Sequence, residues 1–247
     1  MKVYVVIFVE KYFKRLYNKT QKEFYLVLRD NLEKNNKMFI VTANPEAFTH
    51  GEQDELVDSL LMDDETTVVA DGIGIVKGAG MLGIDIPERI PGVGIAEQLF
   101  VLGDELNKSV YLLGAKQEVM DALCKVLSEK YPNLIIKGAV NGYVDDKDAV
   151  FEDIKKEAPD IVLVALGIPN QEKLIYKHLK YFNKGIFVGV GGSFDVLSGT
   201  KARAPKFFIN HNLEWLYRIV KEPKRFKRFY DNNVKFIIRV RKKAKGK

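Results

Sequence analysis

The chain has 247 residues, 47% hydrophobic and 29% charged, a balance that suits one globular α/β domain with a short appendage and excludes a disordered chain. One cysteine, Cys124, and three scattered histidines, His50, His178 and His211, exclude a disulfide framework and a Cys- or His-based metal site, and fit a reducing compartment. The net charge of +6 is unevenly placed: residues 201–247 hold 16 Lys/Arg and 3 Asp/Glu, and the first 200 residues hold 23 and 30. A basic tail on an acidic body points to a polyanion, either nucleic acid or an anionic membrane.

The apolar start, Val3–Val9, ends at Glu10-Lys11. It is too short for a signal-peptide core or a membrane span and reads as a buried first strand. Thr20-Gln-Lys-Glu23 is a capping box opening a helix to about Glu33. A strand over Met38–Thr42 turns at Asn44-Pro45 into a helix reaching about Leu61. Thr67–Ala70 is a strand ending at Asp71, and a helix starts near Ile73 and stops before Gly83. Then come a helix over Ile95–Leu106, a strand over Ser109–Leu113, a helix over Gln117–Lys130 and a strand over Leu134–Lys137. Asp145–Glu157 is helical, Ile161–Leu166 a strand, Gln171–Tyr181 helical and Gly185–Val190 a strand. Beyond residue 199 an amphipathic helix spans Phe207–Ile219 and breaks at Pro223. Residues 224–243 interleave aromatic and aliphatic side chains with Lys and Arg, and Arg241–Lys247 reads as disordered.

Strands separated by single helices pair in parallel through right-handed crossovers. The fold class is therefore α/β: a Rossmann-like, mostly parallel sheet with helices on both faces, spanning residues 1–199, and a basic, amphipathic, helical appendage over 200–247. Ligands of such sheets lie off the carboxyl ends of the strands, which here read Thr42, Asp71, Gly114, Gly138, Gly167 and Gly191. Gly72-x-Gly74-x-x-x-Gly78 departs from dinucleotide-binding spacing, and Asp71 would face a pyrophosphate. Asp146-Lys-Asp148 has the spacing of a metal–nucleotide motif, but at a helix start its acids read as caps. Asp71 is a candidate general base at the ligand edge, or a cap of the helix that follows. Thr42 and Asn44, on the neighbouring strand, offer it neutral hydrogen-bonding company. Asp195 could accept hydrogen bonds from a base or ribose or cap a helix, and Gln171 stands at a helix N-terminus suited to phosphate.

A set of short motifs occurs in one order: Thr42-x-Asn44-Pro-Glu, Asp71-Gly-Ile-Gly74, Pro87-Glu-Arg89-Ile-x-Gly92, Tyr111-Leu-Leu-Gly114-Ala, Asn141-Gly-Tyr143, Ala165-Leu-Gly167-x-Pro-x-Gln171-Glu-Lys173, Val190-Gly-Gly-Ser-Phe-Asp195-x-x-Ser-Gly199, Arg203-Ala-Pro205 and Leu213-Glu-Trp-Leu-Tyr-Arg218. Over about residues 38–230 the chain resembles the WecG/TagA/CpsF glycosyltransferases. The resemblance implies inverting transfer of N-acetylmannosamine, its uronic acid or a related sugar from a UDP-sugar to N-acetylglucosamine on an undecaprenyl diphosphate, for teichoic acid-like or other surface polysaccharide. It implies no cofactor and no metal. By motif, Asp71 is the base, Thr42 positions the sugars, Gln171 sits by the donor, Tyr143 and Asp195 contact uridine, and Arg89 contacts acceptor or phosphate. Arg218, Arg225 and Arg228 are expected to reach the diphosphate. Two departures bear on sugar specificity: the acids between Thr42 and Asp71 (Glu52, Asp54, Glu55, Asp58, Asp63, Asp64, Glu65), and Thr42-Ala43 where Thr-Pro is commoner.

The body has no obvious arginine cluster, so charge stabilisation of the leaving diphosphate falls to the tail. The tail's basic–aromatic mixture also suits an anionic inner leaflet, which puts the protein at the cytoplasmic face of the plasma membrane. Two rivals remain at this stage: a nucleic-acid-binding module using the same stripe, and a nicotinamide-dependent dehydrogenase, disfavoured by the fingerprint spacing. No nucleic acid is expected, and the sequence leaves open whether the chain forms a homo-oligomer.

Overall fold

The computed structural model describes residues 8–246. Six strands, β1 (Lys37–Ala43), β2 (Thr66–Ala70), β3 (Ser109–Gly114), β4 (Ile135–Val140), β5 (Ile161–Ala165) and β6 (Gly185–Gly189), form one parallel sheet in the order β2-β1-β6-β5-β3-β4. Side chains alternate across it: Phe39, Val41 and Ala43 enter one core, Met38 and Ile40 the other, as strands buried on both faces require. Helices α1 (Phe8–Lys14), α3 (Pro45–Gly51), α4 (Glu55–Met62), α5 (Ile73–Met81), α8 (Lys147–Glu157) and α9 (Asn170–Leu179) cover the first face. Helices α2 (Gln21–Glu33), α6 (Gly92–Glu105), α7 (Gln117–Lys130) and α10 (Ser193–Leu197) cover the second. The chain leaves β3 over the second face and β5 over the first, in opposite directions along the sheet. Crossovers that part in this way open a crevice at the carboxyl ends of those strands.

Several local expectations hold. Thr20 and Glu23 form the reciprocal capping box of α2, and Asp146 caps α8 by accepting from the Ala149 N–H. Others are corrected. The strand expected over Val3–Val9 lies mostly outside the described residues, and Phe8 and Val9 open helix α1 instead. The single helix expected from Asn44 to Leu61 is two, because Asp54 accepts from the Leu56 and Val57 N–H groups and starts α4 afresh. Gly138 does not end its strand: β4 continues to Val140, and a Cβ at Gly138 would sit 2.2 Å from the Tyr111 ring. It is a packing position and not part of the ligand edge.

The tail forms α11 (Lys206–Asn210), α12 (Glu214–Lys221), α13 (Arg225–Phe229), a π turn (Tyr230–Val234) and α14 (Lys235–Ala244). The helix expected over Phe207–Ile219 is split at Asn212, whose φ is 58°, and Arg241–Ala244, expected to be disordered, are helical. The last helix is part of the core. Phe236 is fully buried between the rings of Phe13 and Phe48, at 6.0 and 6.2 Å, and Val240 joins the same cluster. Arg239 clamps this helix by donating to Glu52 at 2.7 Å and to Thr49 at 3.1 Å. Among the described residues, no helix is long and apolar enough to cross a membrane.

Candidate active site

The strand ends assemble two groups of residues along one edge. The first lies at β2 and β1. Asp71 leaves β2 with its N–H on the Ala43 carbonyl at 2.9 Å, and the Ile90 N–H returns to Ala70 at 2.7 Å. This folds the loop before α6 back over the strand end. The first N–H of α6, from Gly92, donates to Asp71 Oδ1 at 3.0 Å. Burial pushes the Asp71 carboxyl above its ordinary range, against the lowering effects of the Gly92 N–H, Arg218 and Arg89; Glu214 adds a further upward push. Thr42 is buried and donates its hydroxyl to the Gly189 carbonyl at 2.9 Å, tying β1 to β6. Asn44 caps α3 through the Ala47 N–H, and its Cβ lies close to Gly72, beside Asp71.

Residues remote in sequence complete this group. Glu214 on α12 meets Arg218 Nη2 at 2.6 Å and Arg89 Nη1 at 3.7 Å. Arg228 forms a fork on both carboxylate oxygens of Glu46, at 2.9 Å each, in the first turn of α3. Arg89 and Arg218 thus meet at Glu214, close enough for their charges to act on Asp71, and Arg228 docks two residues past Asn44. The Arg225 side chain lies outside the described residues.

The second group lies at β3, β5 and β6. Gly114 has φ 132°, and a Cβ there would stand 2.4 Å from the Ala165 carbonyl oxygen. Only glycine lets the two strand ends close in this way. Gly142 packs against Gly114 and donates its N–H to the Ala115 carbonyl at 2.8 Å. Tyr143 follows on the rim, 73% exposed and free to lie against a flat ligand. Asp195, on α10, faces Lys201 at 3.4 Å. Gln171 is buried, and its Oε1 accepts from the Gly167 and Gly191 N–H groups, both at 3.0 Å, while Nε2 donates to Glu172 at 2.7 Å. With its amide engaged within the protein, Gln171 shapes the loops after β5 and β6 from beneath. It is a positioning residue for whatever those loops hold.

Three acids had no role in the sequence reading. Glu214 was readable within the Leu213–Arg218 motif, four residues before Arg218, the spacing of a helical ion pair. Glu46, the partner of Arg228, carried no such signal. Neither did Glu172, whose buried carboxyl is pushed up to about 7 by desolvation and whose Oε2 has no partner. Six of the seven acids singled out between Thr42 and Asp71 are engaged within the protein, Glu52 with Arg239, Asp54 with Lys173, Asp58 with Tyr12 and Lys11, Asp63 with Tyr176, Asp64 with Arg15 and Glu65 with Lys37, while Glu55 is exposed. A groove of about 1140 Å³ runs along α9 and opens toward Gly142 and Leu166. Its Lys37, Lys173 and Lys177 are paired with Glu65, Asp54 and Asp148.

Residues 12–247 match the family model described as glycosyl transferase WecG/TagA/CpsF family. The chain belongs to that family. The match extends past the motif region at both ends and takes in the end of α1, all of α2 and the terminal helix. A protein of Bacillus spizizenii named N-acetylglucosaminyldiphosphoundecaprenol N-acetyl-beta-D-mannosaminyltransferase is 38% identical over 197 residues, 80% of this chain and 76% of that protein. Proteins of the same name from Bacillus subtilis and Staphylococcus aureus are 37% and 38% identical over 209 and 198 residues, covering 84% and 78% of this chain and 80% and 76% of theirs. Family membership makes the chain a glycosyltransferase and takes precedence over the nucleic-acid and dehydrogenase readings.

Proposed function

We propose that the protein transfers N-acetylmannosamine from a UDP-sugar to the N-acetylglucosamine of a polyprenyl-diphosphate-linked acceptor, in the synthesis of a teichoic acid-type linkage unit. The relatives' shared name supports the acceptor and the sugar. The observation that carries the reading to named residues is Asp71: a half-buried carboxylate at the sheet edge, held by one backbone N–H, with its proton affinity raised by burial. A carboxylate in that state is a competent general base.

In the proposed step the acceptor hydroxyl attacks the anomeric carbon from the face opposite UDP. Its proton passes to Asp71 as the new glycosidic bond forms. The bond from the anomeric carbon to the diphosphate oxygen breaks, and UDP leaves with the electron pair, so the anomeric configuration inverts. Four strand spacings separate Asp71 from Gly114, roughly 19 Å. That span accommodates a donor laid along the edge, its uridine toward Tyr143 and Asp195 and its sugar toward Thr42 and Asp71. Arg89, Arg218 and Arg228 are the groups suited to the diphosphate, since a guanidinium fork matches phosphate oxygens. We assign charge stabilisation to them and not to a metal; turnover that persists in EDTA tests this assignment.

The tail supports a peripheral site at the cytoplasmic face of the plasma membrane. Among the described residues, six of the twelve exposed large apolar side chains, Phe207, Trp215, Val220, Phe226, Tyr230 and Ile238, lie on it among its basic residues, and each Lys or Arg near an anionic surface contributes about 1 kcal/mol.

The deciding experiment uses Asp71→Asn with a soluble prenyl-diphosphate–GlcNAc analogue and a panel of UDP-sugars, read by mass spectrometry. Turnover falls by about 10²-fold or more while UDP still raises the melting temperature. Near-normal turnover with intact UDP binding overturns the assignment of the base.

A further inference from the structure

A carboxylate beside two guanidiniums ordinarily pairs with one of them, and an aspartate so paired is a poor base because the cation stabilises its charged form. Asp71 lies within the fields of both Arg89 and Arg218, yet its side-chain hydrogen bond comes from the Gly92 backbone. Glu214 accounts for this. Its two oxygens face the two arginines, Oε1 at 2.6 Å from Arg218 and Oε2 at 3.7 Å from Arg89. The Glu214 and Arg89 side chains are only 13% and 18% exposed, and Arg218 is half exposed. The arrangement joins the body to the tail, since Arg89 precedes α6 and Glu214 opens α12. Without an anion between them, two guanidiniums drawn toward one site repel each other, and the nearer one turns to Asp71.

We infer that Glu214 is a positioning residue for sugar transfer: it engages the arginines of body and tail so that they stand beside Asp71 without pairing to it. The inference rests on the reading of Asp71 as the base. Glu214 leaves Asp71 free to accept the acceptor's proton and keeps two guanidiniums at hand for an incoming diphosphate. The charged groups acting on Asp71 are Arg89 from the body and Arg218 and Glu214 from α12. Removing Glu214 takes away a like charge and releases two opposite ones, so both changes lower the proton affinity of Asp71.

The test is the pH dependence of kcat/KM for the full-length chain carrying Glu214→Gln, in the soluble-acceptor assay. Helix α12 buries no residue, so the substitution leaves the body folded. The acidic limb moves down by about one pH unit, plateau kcat falls by about tenfold as the base weakens, and the donor KM changes less than kcat. Adding Arg89→Gln to the variant brings the limb back toward its wild-type position, because one released fork is gone. A limb that stays in place in Glu214→Gln, or a loss confined to KM, overturns the inference. Asp71→Asn measured in parallel separates the two readings. If that variant keeps its turnover and its acidic limb, the base assignment has failed. If it loses turnover while Glu214→Gln keeps the wild-type limb, only the role of Glu214 has failed.

Discussion

Helices α12 and α14 are both basic, amphipathic pieces of one tail, yet they are held in opposite ways. Helix α14 buries Phe236 and Val240 in the core of the body and sets Arg239 against a buried Glu52. Helix α12 has no fully buried residue; Trp215 stacks on Phe229 at 4.5 Å, and Glu214 reaches the body through charge. Apolar burial is not weakened by electrostatic screening, whereas partly exposed ion pairs are. Similar composition therefore produces a fixed anchor next to a segment that can yield to an anionic ligand or surface. The contrast separates two jobs that charge alone merges: α14 keeps the tail on the molecule, and α12 brings Arg218 to Asp71.

The contrast breaks most directly at Phe236. Phe236→Ala destabilises the protein by about 4 kcal/mol, measured by urea denaturation, whereas Val220→Ala on the exposed face of α12 changes stability by less than about 0.5 kcal/mol. Equal effects would dissolve the distinction.

Arg239→Ala sharpens it next. It leaves Glu52, 5% exposed, without its cation and destabilises the fold by about 3 kcal/mol at pH 8. Burial already pushes the Glu52 carboxyl above its ordinary range. The folded chain thus holds that proton more tightly than the unfolded chain, and the destabilisation shrinks as the pH falls toward that raised pKa. Melting curves of variant and wild type should converge in acid.

Glu172 is the control for this pair: it is buried on the same face with no arginine to serve it. Its pKa of about 7 lies above the unfolded value of 4.5, so wild-type stability falls as the pH rises between those values. Glu172→Gln removes the titration and is more stable than wild type by about 2 kcal/mol at pH 8. The difference closes near pH 4.5, and denaturation at the two pH values checks it.

Much of the fold was legible because its signals are local. The run over residues 161–166, the capping box at Thr20 and Glu23 and the cap at Asp146 each need only neighbours in the chain. The break at Asp54 was missed because a helical pattern reads through a cap that reopens the helix in the same phase. The site was legible where it follows from strand ends: Asp71, Thr42 and Asn44 do stand together. Gln171 was named as a donor neighbour, but its partners Gly167, Gly191 and Glu172 engage its amide from beneath the edge.

The sequence by itself determined the alternating α/β order, the strand-end edge proposed for the chemistry and the basic character of the tail, since periodicity, caps and charge are properties of short windows. Only the tertiary structure decided which face each helix covers, that Phe236 enters a core begun at Phe13 and Phe48, and that Glu214 stands between arginines from body and tail. Those facts depend on what lies across a contact, and a hydrophobic period or a charge count describes one side of a contact without naming its partner.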